Sequence, residues 1–275
     1  MANNGKKSEV NIDNKLIEQT GQHVAGHQAN IVGDADIGWI GDKYEIAQAQ
    51  FVLPTMFAEK LMNLLDPEET PDYTTLEGKE DWEPETVLVE AGTFLMGSQP
   101  GDDIPEHETP QFEMSLPTFR LGKYPVTNEQ YYHFIRETKR TAPQELGWGG
   151  GGAPAKELLD LPVRGVNWYG ALIYCYWLME ETGRPYTLPS EAQWEKAARG
   201  ADGRRYPWGN EWQPEKCNAD CTRVTAVDAY QDGASPYGCL DMVGNVREWT
   251  TTLWGRNRRH LVQLEAPYPW SDPWR

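Results

Sequence analysis

The chain predicts an α+β fold of irregular, loop-rich character, with short antiparallel strands and about three helices. Three observations lead there. Aromatic residues are dense, with 12 Trp and 13 Tyr in 275 residues, and such rings bury large areas while keeping a polar tip near water. Gly and Pro number 26 and 20 and punctuate the chain too often for long helices or a wide sheet. Apolar residues make up 39%, enough to build a core in a domain of this size.

The elements follow in order. Residues 1–65 form an N-terminal segment, polar and aperiodic at first. Within it, 31–46 (IVGDADIGWIGDKYEI) sets Gly and Asp between Ile, Val and Trp, a pattern of brief strands and tight turns. Residues 55–65 (TMFAEKLMNLL) predict a short helix whose stripe is Phe57, Leu61, Leu64 and Leu65. Alone it is too short to persist in water, so it must pack on this domain or on a partner. Residues 66–84 read as an acidic linker. The main domain is assigned to 85–275, its packing beginning near Trp82.

Within that domain Val87 and Val89 alternate with polar neighbours, and the glycine turn of AGTFLMGS suggests that they pair with the strand that follows. Phe112, Met114 and Leu116 alternate likewise, and the pattern resumes at Phe119 and Leu121. These predict antiparallel strands. Thr127 opens TNEQ, a capping box closed by Gln130, with Tyr131, Phe134 and Ile135 on the buried face. Asn167 caps a second helix with Ala171, Tyr174, Cys175 and Leu178 along one side, and Gly183 stops it. Ser190 opens a second capping box with Gln193, turning Trp194, Ala197 and Ala198 inward until Gly200. Residues 146–156, with four consecutive glycines, predict a flexible surface loop. No further helix is expected after Gly200.

The net charge is −17, and ten acidic residues against one Lys79 lie between Asp66 and Glu90. That balance argues against nucleic acid as a partner, because affinity for it comes from neutralising phosphates. Arg256, Arg258 and Arg259 form a small basic cluster, read as a solvated loop. The N-terminus has no signal-peptide core, and no apolar run approaches the roughly 18 residues of a membrane span. Four cysteines, Cys175, Cys217, Cys221 and Cys239, are too few for a disulfide scaffold. A reduced, cytoplasmic setting is the expectation.

Six segments occur together and in order: VLVEAGTFLMGS (87–98), LGKYPVTNEQYYHFI (121–135), LPVRGVNWYGALIYCYWL (161–178), YTLPSEAQWEKAARG (186–200), YPWGNEW (206–212) and SPYGCLDMVGNVREWT (235–250). Over residues 85 to about 254 the chain resembles the formylglycine-generating enzyme, or sulfatase-modifying factor, family. The resemblance implies a C-type-lectin-like fold with little regular secondary structure. It leaves function open between a copper oxidase that converts a protein cysteine to formylglycine, an iron-assisted ergothioneine type, and binding modules.

The oxidase type implies a reactive cysteine pair after an RGGS motif. This chain reaches Arg275 without one, so the resemblance implies either a domain incomplete at its C-terminus or one lacking the site, and copper only where that segment exists. CNADC (217–221) offers soft thiolates four positions apart, with Cys239 as a possible third ligand, but it sits where the family keeps no such pair. Buried thiols acting as small hydrophobes are the plainer reading. His23 and His27, in a glycine-containing polar segment, do not carry the iron type.

The resemblance instead implies structural calcium at Asp241, Gly244, Val246 and Glu248. Two carboxylates and two backbone carbonyls suit its preference for many hard oxygens. The alternative is that Glu248 only holds its loop by accepting backbone N–H groups. A second calcium loop near Asn218 and Ala219 is shortened. Arg247 replaces the family's usual Trp and is expected to stack on Trp249 or Trp254. The expected role is a family domain used as a binding or accessory module, its loops displayed to a protein or small ligand. The alternative is a formylglycine-generating oxidase.

Overall fold

A computed structural model describes residues 80–101, 104, 108–142, 147–148, 152–219 and 222–252. The expected strands of 31–46, the helix of 55–65, His23, His27, Cys221, Trp254 and the arginines of 256–259 lie outside these residues.

Four short strands form two antiparallel ribbons. β1 (Thr86–Val89) pairs with β4 (Phe119–Gly122), and β2 (Gly92–Met96) pairs with β3 (Phe112–Leu116). The expected pairing of β1 with the strand after it does not form. β2 turns away and takes β3, so the two ribbons are nested rather than consecutive. β3 keeps the expected alternation, with Glu113 and Ser115 exposed and Leu116 buried, as a strand with one face on the core requires.

Three α-helices follow. α1 (Asn128–Thr138) has the Thr127–Gln130 capping box and buries Tyr131, Phe134 and Ile135. α2 (Trp168–Thr182) is capped by Asn167 and ends at Gly183 in a left-handed conformation. α3 (Glu191–Arg199) has the Ser190–Gln193 capping box and buries Ala192, Lys196, Ala197 and Ala198. After Gly200, only single 3-10 turns at Pro214–Lys216 and Gln231–Gly233 appear among the described residues.

The core has two main parts. α3 packs on β2 and β4, where Val89, Phe94, Leu116, Phe119, Ala197, Cys239 and Met242 meet. α1 and α2 pack together around Tyr131, Phe134, Trp148, Tyr174, Trp177 and Leu178. The far side of α2 buries Leu172, Cys175 and Met179 against Trp168, Tyr186 and Leu188. α2 therefore buries more than the single expected side, as a helix apolar all round must.

Two segments are held more firmly than their composition suggests. Trp148, inside the glycine-rich stretch, is buried and donates its indole N–H to Asn128 Oδ1 at 2.8 Å. Trp82 stacks on His133, with ring centroids 5.0 Å apart and an interplanar angle of 3°. Beside it the buried Glu83 carboxylate pairs with Arg184 and accepts from Tyr186 Oη at 2.8 Å. Residues 80–84, at the end of the expected linker, are thus fastened to the domain.

Candidate functional site

The loop from Cys239 to Glu248 contains the four residues that the resemblance assigns to calcium, Asp241, Gly244, Val246 and Glu248. Asp241 and Asn245 both adopt φ of 56°, and Gly244 adopts 83°. All three lie in the left-handed region that Gly, Asn and Asp tolerate best. This winds the loop tightly and brings it against residues 218–225. Asn218 and Gly244 form a parallel bridge, and Asn245 N donates to Asn218 O at 3.0 Å.

Asn245 is the hub of this contact. Its Nδ2 donates to Asp241 Oδ2 at 2.8 Å and to Thr225 O at 3.1 Å. Its Oδ1 accepts from Asn218 Nδ2 at 3.1 Å and from Thr225 N at 3.0 Å. That meets the full capacity of a buried amide. Sequence reasoning passed over Asn245, although it stands inside the VGN motif; only the packed structure shows that it ties two loops together.

Asp241 is buried, and only one of its oxygens is spent on Asn245. Oδ1 has no hydrogen-bond partner. Desolvation holds its carboxyl above the ordinary range; Asn245 opposes this, and the Asp228 charge adds to it. The Glu248 carboxyl is pushed up to about 7, first by desolvation and then by Asp241, while the Trp194 indole pulls it down. Glu248 as a residue is exposed, so the desolvation is that of its carboxyl end, turned inward beside Trp194 and within electrostatic reach of Asp241. The Trp194 N–H stays without a well-formed hydrogen bond; it faces the carboxyl without closing on it. Among the described residues no backbone N–H donates to Glu248. Gly244 O accepts from Val246 N at 2.7 Å.

Among the described residues, no three His, Cys, Asp or Glu side chains form a ready metal cluster. Cys175, Cys217 and Cys239 are buried, and none of the three forms a disulfide among the described residues. Burial pushes Cys175 and Cys239 up to about 12. Arg247 is exposed and stacks on no described ring; Trp249 instead donates its indole N–H to Val166 O at 2.8 Å. A separate cavity of about 120 Å³ lies between Asn128, Leu158, Leu161, Pro162 and Val224, with Arg164 in its lining. The Asn128 amide has already spent its donors on Leu158 O and Leu161 O and its oxygen on Trp148.

The sulfatase-modifying factor enzyme 1-like domain matches residues 73–268. The chain belongs to this family. The sulfatase-modifying factor domain here is 31% identical over 222 residues to the inactive C-alpha-formylglycine-generating enzyme 2 of Mus musculus, across 62% of this chain and 70% of that protein. It is also 30% identical over 278 residues to the serine/threonine-protein kinase pkn1 of Chlamydia caviae. That similarity covers 94% of this chain and 43% of the kinase, so the chain spans less than half of that relative. Among solved structures, PvdO from Pseudomonas aeruginosa superposes with a TM-score of 0.55 at 23% identity, covering 66% of this chain and 75% of that one. That likeness shows the shared α+β, loop-rich fold. Among the described residues no helix is long and apolar enough to cross a membrane.

Proposed function

We propose that this sulfatase-modifying factor domain serves as a binding or accessory module and does not oxidise cysteine. The observation that carries the reading is the state of two of its four thiols, Cys175 and Cys239. Metal capture and redox attack need thiolates. Cys175 and Cys239 are buried and stay protonated at neutral pH. Cys239 sits among Val89, Phe94 and Met242, a setting for a small hydrophobe rather than a copper ligand. The similarity to a protein named as an inactive enzyme supports the same reading. So does the similarity to a protein named as a kinase, which takes in nearly the whole chain, residues 31–65 included. An appended segment of that kind suits a domain that works beside other domains. Buried free thiols and the acidic balance agree with a reducing, cytoplasmic setting.

The test is direct. Purified protein is incubated with a sulfatase-type cysteine peptide, copper and oxygen, and the peptide is weighed by mass spectrometry. No formylglycine is expected. Appearance of the aldehyde would establish the oxidase reading in its place.

We propose in addition that Asp241, Gly244, Val246 and Glu248 hold structural calcium. Support comes from the chemistry of the donors. Two desolvated carboxylates repel one another, and one buried Asp241 oxygen has no partner. A hard divalent cation relieves both costs and accepts carbonyl oxygens in the same shell. Bound there, calcium would supply charge neutralisation and cross-linking of the loop, with no part in bond making.

A further inference from the structure

We propose that the cavity between the start of α1 and the 158–164 turn binds a short, branched aliphatic carboxylate. Its volume is about 120 Å³. That is somewhat less than the roughly 150 Å³ that holds benzene, and it suits a branched body of about four carbons. Leu158, Leu161, Pro162 and Val224 supply apolar wall, and Arg164 is the one charged residue in the lining. The wall stands before any ligand arrives. Leu158 N donates to Ala155 O at 2.9 Å, Leu161 N to Leu158 O at 3.1 Å and Val163 N to Val126 O at 2.9 Å. Pro162 bridges to Thr127, and Val166 O accepts from Trp249 Nε1 at 2.8 Å. The backbone is thus held on both sides of Arg164. The Arg164 side chain is exposed and makes no hydrogen bond or ion pair among the described residues. A pocket formed in advance binds without ordering its own walls.

The same bonds select the ligand's chemistry. Leu158 O and Leu161 O both accept from Asn128 Nδ2, Leu161 O also accepts from Asn128 N, and Asn128 Oδ1 accepts from Trp148. Pro162 has no N–H to offer. Hydroxyls pushed inward would give up water for walls whose polar groups are already paired, which disfavours a sugar. A phosphate would find one guanidinium for all its oxygens. The exposed charges around the cavity, Lys156, Glu157, Asp160, Arg223 and Asp228, are of both signs and lie outside the lining, so Arg164 sets the sign at the cavity itself. One carboxylate matches its planar fork, and a branched apolar tail matches the wall. The inference deepens the binding-module reading and rests on it.

The probe is isovalerate, titrated into the full chain while the amide signals of Gly147 and Val224 are followed by NMR. Acetate, isovaleramide and inorganic phosphate are run beside it at one ionic strength. Isovalerate is expected to saturate with a Kd on the order of millimolar, as a ligand of so few atoms allows. Acetate is expected to bind roughly tenfold or more weakly, for want of the buried methyl groups. Arg164→Gln is expected to weaken isovalerate about three- to fivefold, the scale of an exposed ion pair, and to leave isovaleramide unchanged. Arg205→Gln, an exposed arginine outside the lining, changes neither. Val224→Phe fills the cavity and removes both ligands; should it fold poorly, the exposed Arg164 variant carries the test. Isovalerate binding no better than acetate or phosphate, shifts that never saturate, or Arg164→Gln binding isovalerate as the parent does would each overturn the proposal. Formylglycine in the oxidase assay would sink the module reading without changing these affinities, so the two failures are distinguishable.

Discussion

Lys196 brings an amine inside the domain and leaves only 1% of the residue exposed. Its Nζ donates to Glu90 O at 2.6 Å and Gly92 O at 3.0 Å, pinning the turn between β1 and β2 to α3. Burial pulls the amine below the ordinary lysine value of 10.5. The sign follows from proton counting. As pH rises toward 10.5 the folded amine loses its proton before the unfolded one, the unfolded state binds more protons, and the folded state gains stability. Lys196→Met removes that gain and leaves two carbonyls without a donor, at a cost of about 1–3 kcal/mol. Melting curves are expected to place the variant below the parent at neutral pH, with the gap widening as pH climbs. A gap that narrows would contradict the role given to the amine. Buried tyrosines such as Tyr186, whose hydroxyls burial pushes upward, titrate in both proteins and cancel in the difference. Nothing in EAQWEKAARG distinguishes this lysine from a surface one, since lysine is rarely buried. Its acceptors lie more than a hundred residues away along the chain.

At the scale of elements, what is local was readable. Both capping boxes stand where TNEQ and SEAQ place them, because a capping box is closed by residues three apart. Ser190 accepts from Gln193 N at 3.1 Å, and Gln193 Oε1 accepts from Ser190 N at 2.8 Å. Ser190→Ala is expected to lower stability by about 1 kcal/mol, measured by urea unfolding with an unchanged m-value; a neutral result would mean that α3 is set by packing alone. Strand existence was also readable, from alternation. Strand pairing was not. β1 and β4 meet across 30 residues, with Val89 opposite Phe119, and the alternation of each strand fits either partner. α3 packs on β2 and β4, one strand of each ribbon, a contact that no local pattern in the strands announces. The same holds for Trp148, whose glycine neighbours suggested a surface loop while Asn128, 20 residues earlier, supplies its hydrogen bond.

At the scale of the molecule, the contact of the two loops helps hold the irregular region that follows Gly200. Asp241 and Glu248 were singled out from their residue types and from family resemblance, and both carboxyls are desolvated in the fold. The approach of the 218–225 loop was not legible, because it depends on backbone proximity: a Cβ added at Gly244 would lie 2.2 Å from Asn218 O. That closeness couples any ligand of the Asp241 loop to the second loop, and the second loop reaches the helical part through Val227 N, which donates to Asp160 O at 3.0 Å. Calcium bound to the folded chain and not to the unfolded one stabilises by mass action, about 2.7 kcal/mol at a hundredfold excess over Kd. For a domain of this size that corresponds to roughly 5 °C or more in Tm. Calcium is expected to raise Tm in the parent, and EGTA to reverse the rise. Glu248→Gln loses most of the response, since an amide oxygen offers calcium no charge, while magnesium, which demands a tighter octahedral shell, gives little. An identical Tm with calcium and with EGTA would remove the cation from the account and leave Asn245 and the Asn218–Gly244 bridge to join the loops.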